Sequence, residues 1–300
     1  MRGWWQDLTD LVLPAECAGC GRPRTVLCPR CRAAVAGGVP RRVRPVPEPP
    51  GLPAVYAAAG YADEVRAAVL AHKERGLMSL AAPLGAALAG AVRAGLRGTA
   101  AGPSGPTSAP DGHGGRPAAM RGRAPVLLVP VPSARRAVRA RGHDPTRRIA
   151  LAAAAGLRRG GVAAQVLAVL RQRRGVSDQS RLGSRQRREN LTGALTTAAG
   201  GAGLLLAGPV VLVDDLMTTG ASLAEAARAV TSAVYSARVR EEMEAYRTGR
   251  SRKEGNPVYR ASELWRAYGA GHVICAAVVA ASPDSVVEKQ ELTKNVHRCR

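Results

Sequence analysis

Pro209-Val-Val-Leu-Val-Asp214-Asp215-Leu-Met-Thr218-Thr219-Gly220-Ala-Ser222 opens on an unbroken apolar run and changes character within one residue. A strand with one wet face would alternate apolar and polar positions. An unbroken run therefore predicts a strand covered on both faces, as in a parallel sheet. Two adjacent carboxylates close that strand. A short polar loop containing Gly220 follows, and the Ala-rich residues 222–230 predict a helix. Strand, loop and helix in this order make half of a βαβ unit.

Similar signals lie on either side. Pro125-Val-Leu-Leu-Val-Pro-Val-Pro132 is a short apolar run bounded by prolines and reads as a second buried strand. Residues 165–170 and 273–281 read as two more, and residues 145–158 as a helix. Val65, Val69, Leu80, Leu84 and Leu88 recur at three- and four-residue steps, so residues 54–97 read as helical. Continuous apolar strands alternating with helices predict an α/β fold: an open parallel twisted sheet flanked by helices. Residues 51–285 would form this domain. It would carry a flexible Gly/Pro-rich insertion at 98–123 and a mainly helical one at 231–268, with a tail at 286–300. Residues 1–50 would be a separate cysteine module ending in a connector, since residues 40–53 contain six prolines.

In open α/β sheets, ligands bind at the carboxyl ends of the strands. The amides of Leu216, Met217, Thr218, Thr219, Gly220 and Ala221, with the Thr218, Thr219 and Ser222 hydroxyls, suit a phosphate at a helix N-terminus. Asp214 and Asp215 could accept hydrogen bonds from sugar hydroxyls, or hold Mg²⁺ through water. The plain alternative is an ordinary strand-to-helix turn with polar caps.

Cys17-Ala-Gly-Cys20 and Cys28-Pro-Arg-Cys31 are two Cys-x-x-Cys pairs. Each can present two thiolates to one metal, so the four sulfurs predict a closed, structural zinc site. A redox pair and disulfides are the competing readings. Met1 to Leu13 carries Asp7 and Asp10, unlike an export signal, and the run 273–281 is too short to span a bilayer. The expectation is a cytoplasmic protein with no membrane partner.

Charge narrows the ligand class. The 300 residues carry a net charge of +22, and residues 131–190 hold fifteen arginines against three acids. Guanidinium forks fit phosphate oxygens, so polyanions are the expected partners. With 3% aromatic residues and no Phe, a base-stacking surface has little to draw on.

The string from Asp214 to Ser222 resembles the phosphoribosyl diphosphate (PRPP) signature of type I phosphoribosyltransferases. Together with the N-terminal cysteines, the chain resembles the ComF family of that superfamily. Val129-Pro-Val-Pro-Ser133-Ala-Arg135-Arg136, continuing to Asp144, is similar to the family's diphosphate-loop region. That similarity implies Ser133, Ala134, Arg135 and Arg136 as diphosphate-binding residues. Gln179-Ser-Arg-Leu182 and Arg187-Arg188-Glu-Asn190 resemble its flexible loop, which implies roles for Gln179, Arg185, Arg188 and Asn190. His72-Lys73-Glu-Arg-Gly76 is a looser match to its Lys-x-x-Gly stretch.

The resemblance implies a protein that binds Mg²⁺-PRPP or a nucleotide and moves a phosphoribosyl group to or from a nitrogenous acceptor. Nothing in the residues identifies the acceptor. Family members are also associated with natural competence. The alternative is therefore a non-catalytic protein that handles single-stranded DNA with DNA-processing partners.

Overall fold

β7 (Val210–Met217) is an interior strand, third of seven in its sheet, with β3 on one side and β8 on the other. The computed structural model describes residues 16–100, 124–173, 193–248 and 273–287. In chain order the other strands are β1 (Arg41–Arg44), β2 (Val55–Gly60), β3 (Val126–Pro130), β4 (Ala164–Val166), β5 (Leu170–Gln172), β6 (Leu195–Thr197), β8 (Val273–Ala281) and β9 (Val286–Val287). The helices are α1 (Pro29–Ala36), α2 (Asp63–Lys73), α3 (Ala81–Ala100), α4 (Arg135–Arg141), α5 (Pro145–Arg159), α6 (Gly201–Leu205) and α7 (Ala221–Arg247).

The sheet order is β4-β3-β7-β8-β2-β1-β9. Pairing is parallel from β4 across to β2, and antiparallel where β1 joins β2 and β9 joins β1. The sheet is thus mostly parallel but mixed, where a parallel one was expected. β5 and β6 pair separately as an antiparallel ribbon.

Both faces of the central strands are covered, which is why their sequences run apolar without alternation. Val211 and Val213 of β7 point into a layer with Val65 and Val69 of α2, Leu84 and Leu88 of α3, and Ile149 of α5. Val210 and Leu212 point the other way, onto Leu223, Ala226 and Val230 of α7 and Leu195 of β6.

Several expectations change. Val55–Gly60 is a strand although 54–97 read as helical; its Val-Tyr-Ala-Ala-Ala-Gly sequence has weak β preference, and its place beside β8 decides its conformation. The expected connector contains β1, whose one buried side chain is Val43. The expected strand at 165–170 is two strands in different sheets, because the chain leaves β3 after Leu167 and turns into the β5–β6 ribbon. The helix read at 222–230 runs on to Arg247, so residues 231–247 continue α7, with Val234 and Ala237 buried. Residues 101–123, 249–272 and the tail beyond 287 lie outside the described residues.

Among the described residues, one helical stretch, Met78–Thr99, is long and apolar enough to cross a membrane. Here Leu80, Leu84, Leu88 and Val92 are fully buried and pack as a core helix against α5 and β8. Glycine permits the close approach. A Cβ at Gly85 would collide with Ala152 Cβ and stand 2.9 Å from the Ala153 amide nitrogen of α5. At Gly156 of α5 the nearest atom would be Ala89 Cβ at an ordinary 3.7 Å.

Two opposite outcomes follow. Gly85→Ala should lower the urea midpoint, since overpacking costs about 1–3 kcal/mol and exceeds a helix-propensity gain of about 1 kcal/mol. Gly156→Ala adds the same methyl without a clash and should raise the midpoint. Equal shifts in the two variants would contradict this account of the α3–α5 contact.

Candidate functional site

The two acids stand near the carboxyl end of β7, followed in the strand by Leu216 and the buried Met217. Successive residues of a strand face opposite sides. Asp215 continues the face of Val211 and Val213, towards α2, and Asp214 continues the face of Val210 and Leu212. Asp215 is buried, and Lys73, the last residue of α2, reaches it. Lys73 Nζ lies 2.9 Å from Asp215 Oδ2 and 3.1 Å from Oδ1. Asp214 is half-buried, and its Oδ1 accepts the Asp215 amide at 2.8 Å.

The electrostatics follow from this crowding. Burial pushes the Asp214 carboxyl well above the usual carboxylate range, and the Asp215 charge pushes it further, against the pull of Lys73 and the amide hydrogen bond. Burial alone would lower Lys73. The charges of Asp215 and Asp214 outweigh it and hold the ammonium above the ordinary lysine value.

The expected loop at 216–222 is shorter in the structure: Leu216 and Met217 still belong to β7 and pair with Ala280 and Ala281 of β8, so only Thr218–Gly220 bend into α7. Gly220 is in the left-handed region at φ 73° and precedes the first residue of the helix. No side chain caps α7, its first turn has no acid, and Thr219 Oγ1 makes only a long 3.5 Å contact with the Ala221 amide. An uncapped N-terminus without acids favours an anion. A Cβ at Gly220 would lie 3.0 Å from Leu52 Cδ2 and 3.2 Å from Pro45 Cγ. Glycine is therefore required here by the fold itself, whatever binds.

The segment Ser133–Arg136 follows β3, the neighbour of β7. The Val131 amide donates to Val213 O at 2.9 Å, which brings Ser133 and Ala134 to the same edge of the sheet as the acids. Arg135 begins α4, and Arg136 on that helix is exposed. Gln179, Arg185, Arg188 and Asn190 lie outside the described residues.

Three participants were not assigned from sequence. Lys73 lies in the stretch that only loosely matches the Lys-x-x-Gly pattern, and its signal is its residue type: four lysines stand against forty arginines in the chain. Glu225 and Arg228 are the others. Buried Glu225 accepts the Leu195 amide at 2.9 Å and both Arg228 donors at 2.7 Å, while Arg228 Nη2 donates to Leu195 O at 3.1 Å. Burial would raise Glu225, but Arg228 and the Leu195 amide hold it below the usual glutamate range. The pair ties β6 to the first turns of α7, and no local pattern announces it.

The second cluster is the cysteine knuckle. Cys17, Cys20, Cys28 and Cys31 place their sulfurs within 4.8 Å of one another, positioned to bind a metal ion. They are free thiols, and the 3.6 Å between the Cys20 and Cys28 sulfurs is far beyond a disulfide's ~2.05 Å. Against burial, hydrogen bonds from the amides of Cys28, Cys20 and Gly19 bring Cys17 down to about 6. Burial and then the other thiols push Cys31 up. Four thiolates this close repel one another unless a cation sits among them. Gly19 is needed because a Cβ there would stand 2.7 Å from Cys31 Sγ. Cys17, Cys28, Cys31 and Val35 belong to the same apolar cluster as α2 and α3.

The chain matches no model of a known protein family, and no curated protein matches it.

Two outcomes test these geometries. Elemental analysis of the purified protein should find about one bound ion per chain. Cys31→Ser should lose it and lower the stability of the α2–α3 layer as well as of the knuckle. Metal-free protein with rapidly alkylated thiols would contradict the metal site. The second outcome concerns Asp214. A group raised in the folded state stabilises below its unfolded value, here 3.8, and that contribution is lost as pH rises through the folded value. Asp214→Asn should therefore raise the urea midpoint at pH 7, and the gain should shrink as pH is lowered towards 3.8. An unchanged midpoint across that range would show that Asp214 carries no such penalty.

Proposed function

We propose that this chain is a phosphoribosyltransferase-like protein of the ComF type, binding PRPP or a nucleotide at the carboxyl end of β7. The observation that carries the reading is the coincidence of two acids, an uncapped helix N-terminus and the Ser133–Arg136 segment at one sheet edge. Asp214 and Asp215 would receive the ribose hydroxyls. Residues 216–222 would receive the 5′-phosphate, and residues 133–136 the diphosphate. Catalysis would rest on orientation and on charge stabilisation around an oxocarbenium-like centre, with no covalent protein intermediate. Mg²⁺ suits this site as part of the ligand. Asp215 already has an ammonium against it, so the ion would be held mainly by the diphosphate oxygens and water.

Zinc is the ion we assign to the cysteines. Four thiolates about 2.3 Å from a tetrahedral zinc stand roughly 3.8 Å apart, close to the Cys20–Cys28 separation of 3.6 Å. Such a site has no open coordination position, and its role would be structural.

The second reading is a binder of single-stranded DNA. It is favoured by the exposed Arg136, Arg139, Arg147 and Arg148, contributed by α4 and the start of α5 near the same edge. These would meet a phosphate backbone and give a steep salt dependence.

Calorimetry separates the two. Wild-type protein titrated with Mg²⁺ and PRPP should show saturable binding. Asp215→Asn should weaken it about tenfold or more, because charged hydrogen bonds contribute roughly 1.5–3 kcal/mol. Binding of single-stranded oligonucleotide unaffected by PRPP, with no PRPP binding at all, would favour the second reading and overturn the first.

A further inference from the structure

Lys73 is the one lysine among the described residues, in a chain that uses arginine forty times. An arginine here would clamp Asp215 more firmly. A guanidinium holds a carboxylate in a fixed fork, whereas an ammonium is a compact charge on a flexible stem and can change partner. The pair is also lopsided: the Asp215 side chain is 3% exposed and that of Lys73 33%. The acid is fixed in the sheet, and the base reaches solvent.

The backbone under Lys73 is held. Buried His72 contacts Leu77 O through Nδ1 at 3.1 Å and Pro145 O through Nε2 at 3.3 Å. Glu74 meets Arg141 of α4 at 3.4 Å, so the end of α2 is turned towards the segment that follows β3. With its neighbours His72 and Glu74 tied, the freedom left at this point lies in the long, partly exposed lysine side chain. It can stay on Asp215 or swing towards the open edge of the sheet.

A diol that hydrogen-bonds Asp215 must displace this ammonium. If the ligand offers nothing in return, the exchange gives up an ion pair on a buried carboxylate. If the ligand carries an anion close to its diol, the ammonium gains a new partner as it leaves the old one. A site built this way rejects ligands with one of the two groups and accepts those with both.

We infer that Lys73 is a selectivity residue with two alternative partners, Asp215 in the free protein and an anion on the ligand's anomeric carbon in the complex. The site thereby selects ribose phosphates carrying that second anion over those carrying the 5′-phosphate alone. This rests on the phosphoribosyl reading above.

The test compares PRPP with ribose 5-phosphate, each in Mg²⁺, on wild type and on Lys73→Met, by calorimetry. Wild type should prefer PRPP. Lys73→Met should weaken PRPP by roughly tenfold or more, the size of a charged contact, and leave ribose 5-phosphate unchanged or tighter. The preference then collapses. Equal weakening of both ligands would mean that Lys73 only neutralises Asp215; the inference would be overturned and the phosphoribosyl reading would stand. Binding of neither ligand by wild type would overturn both.

Should Lys73→Met fail to fold, the wild type gives a second readout. Reductive ¹³C-methylation keeps the lysine charge. The Lys73 methyl resonance should move to one position with PRPP, where the ammonium meets an anion, and to a different one with saturating ribose 5-phosphate, whose diol displaces it without offering a new partner. No shift with PRPP, or equal shifts with both, would overturn the inference.

Discussion

The covering of β7 on both faces is the constraint from which the chemistry of this molecule descends. With α2, α3 and α5 on one side and α7 on the other, a charge within Val210–Val213 would lie unpaired in an apolar interior. Polar groups begin only near the carboxyl end of the strand, as two consecutive acids. Consecutive strand residues face opposite ways, so the two carboxyls enter different surroundings although they are chemically identical. One meets the ammonium of Lys73. The other is left with burial and its neighbour's charge, which favour its neutral form. The asymmetry is a product of strand geometry and needs no special backbone.

What the sequence discloses and what it hides follow the range of the interactions. β7, β8 and β3 are legible because continuous apolar runs report burial directly. The helix read at 145–158 is present, and the structure adds its cap, Asp144, which accepts the Arg147 amide at 3.1 Å. The four cysteines are legible because metal ligation demands their spacing. β2 is hidden because alanines carry little preference and its neighbour β8 lies more than two hundred residues away in the chain. The full length of α7 is hidden because its outer turns are polar. The Lys73–Asp215 pair, 142 residues apart, and the Glu225–Arg228 clamp on Leu195 are set wholly by tertiary contact.

The knuckle at the N-terminus is joined to this arrangement more closely than its separate composition implied. Cys28 and Cys31 share an apolar cluster with Val65 and Val69 of α2, and Arg30 Nη2 donates to Glu64 Oε1 at 2.6 Å. α2 ends in Lys73. The state of the four sulfurs and the position of the lysine are therefore properties of one packed layer.

β8 is the last long strand among the described residues, yet it stands between β7 and β2 in the middle of the sheet. During synthesis, β1 and β2 with α2 and α3, and β3, β4 and β7 with α5, emerge first as two parts without their shared neighbour. Each then presents an unpaired strand edge, the feature most prone to pair with another chain. Only when residues 273–281 leave the ribosome can one strand bond to both. The nascent chain thus keeps an open seam until residues 273–281 have emerged, and the interval before closure is when a chaperone has most to protect.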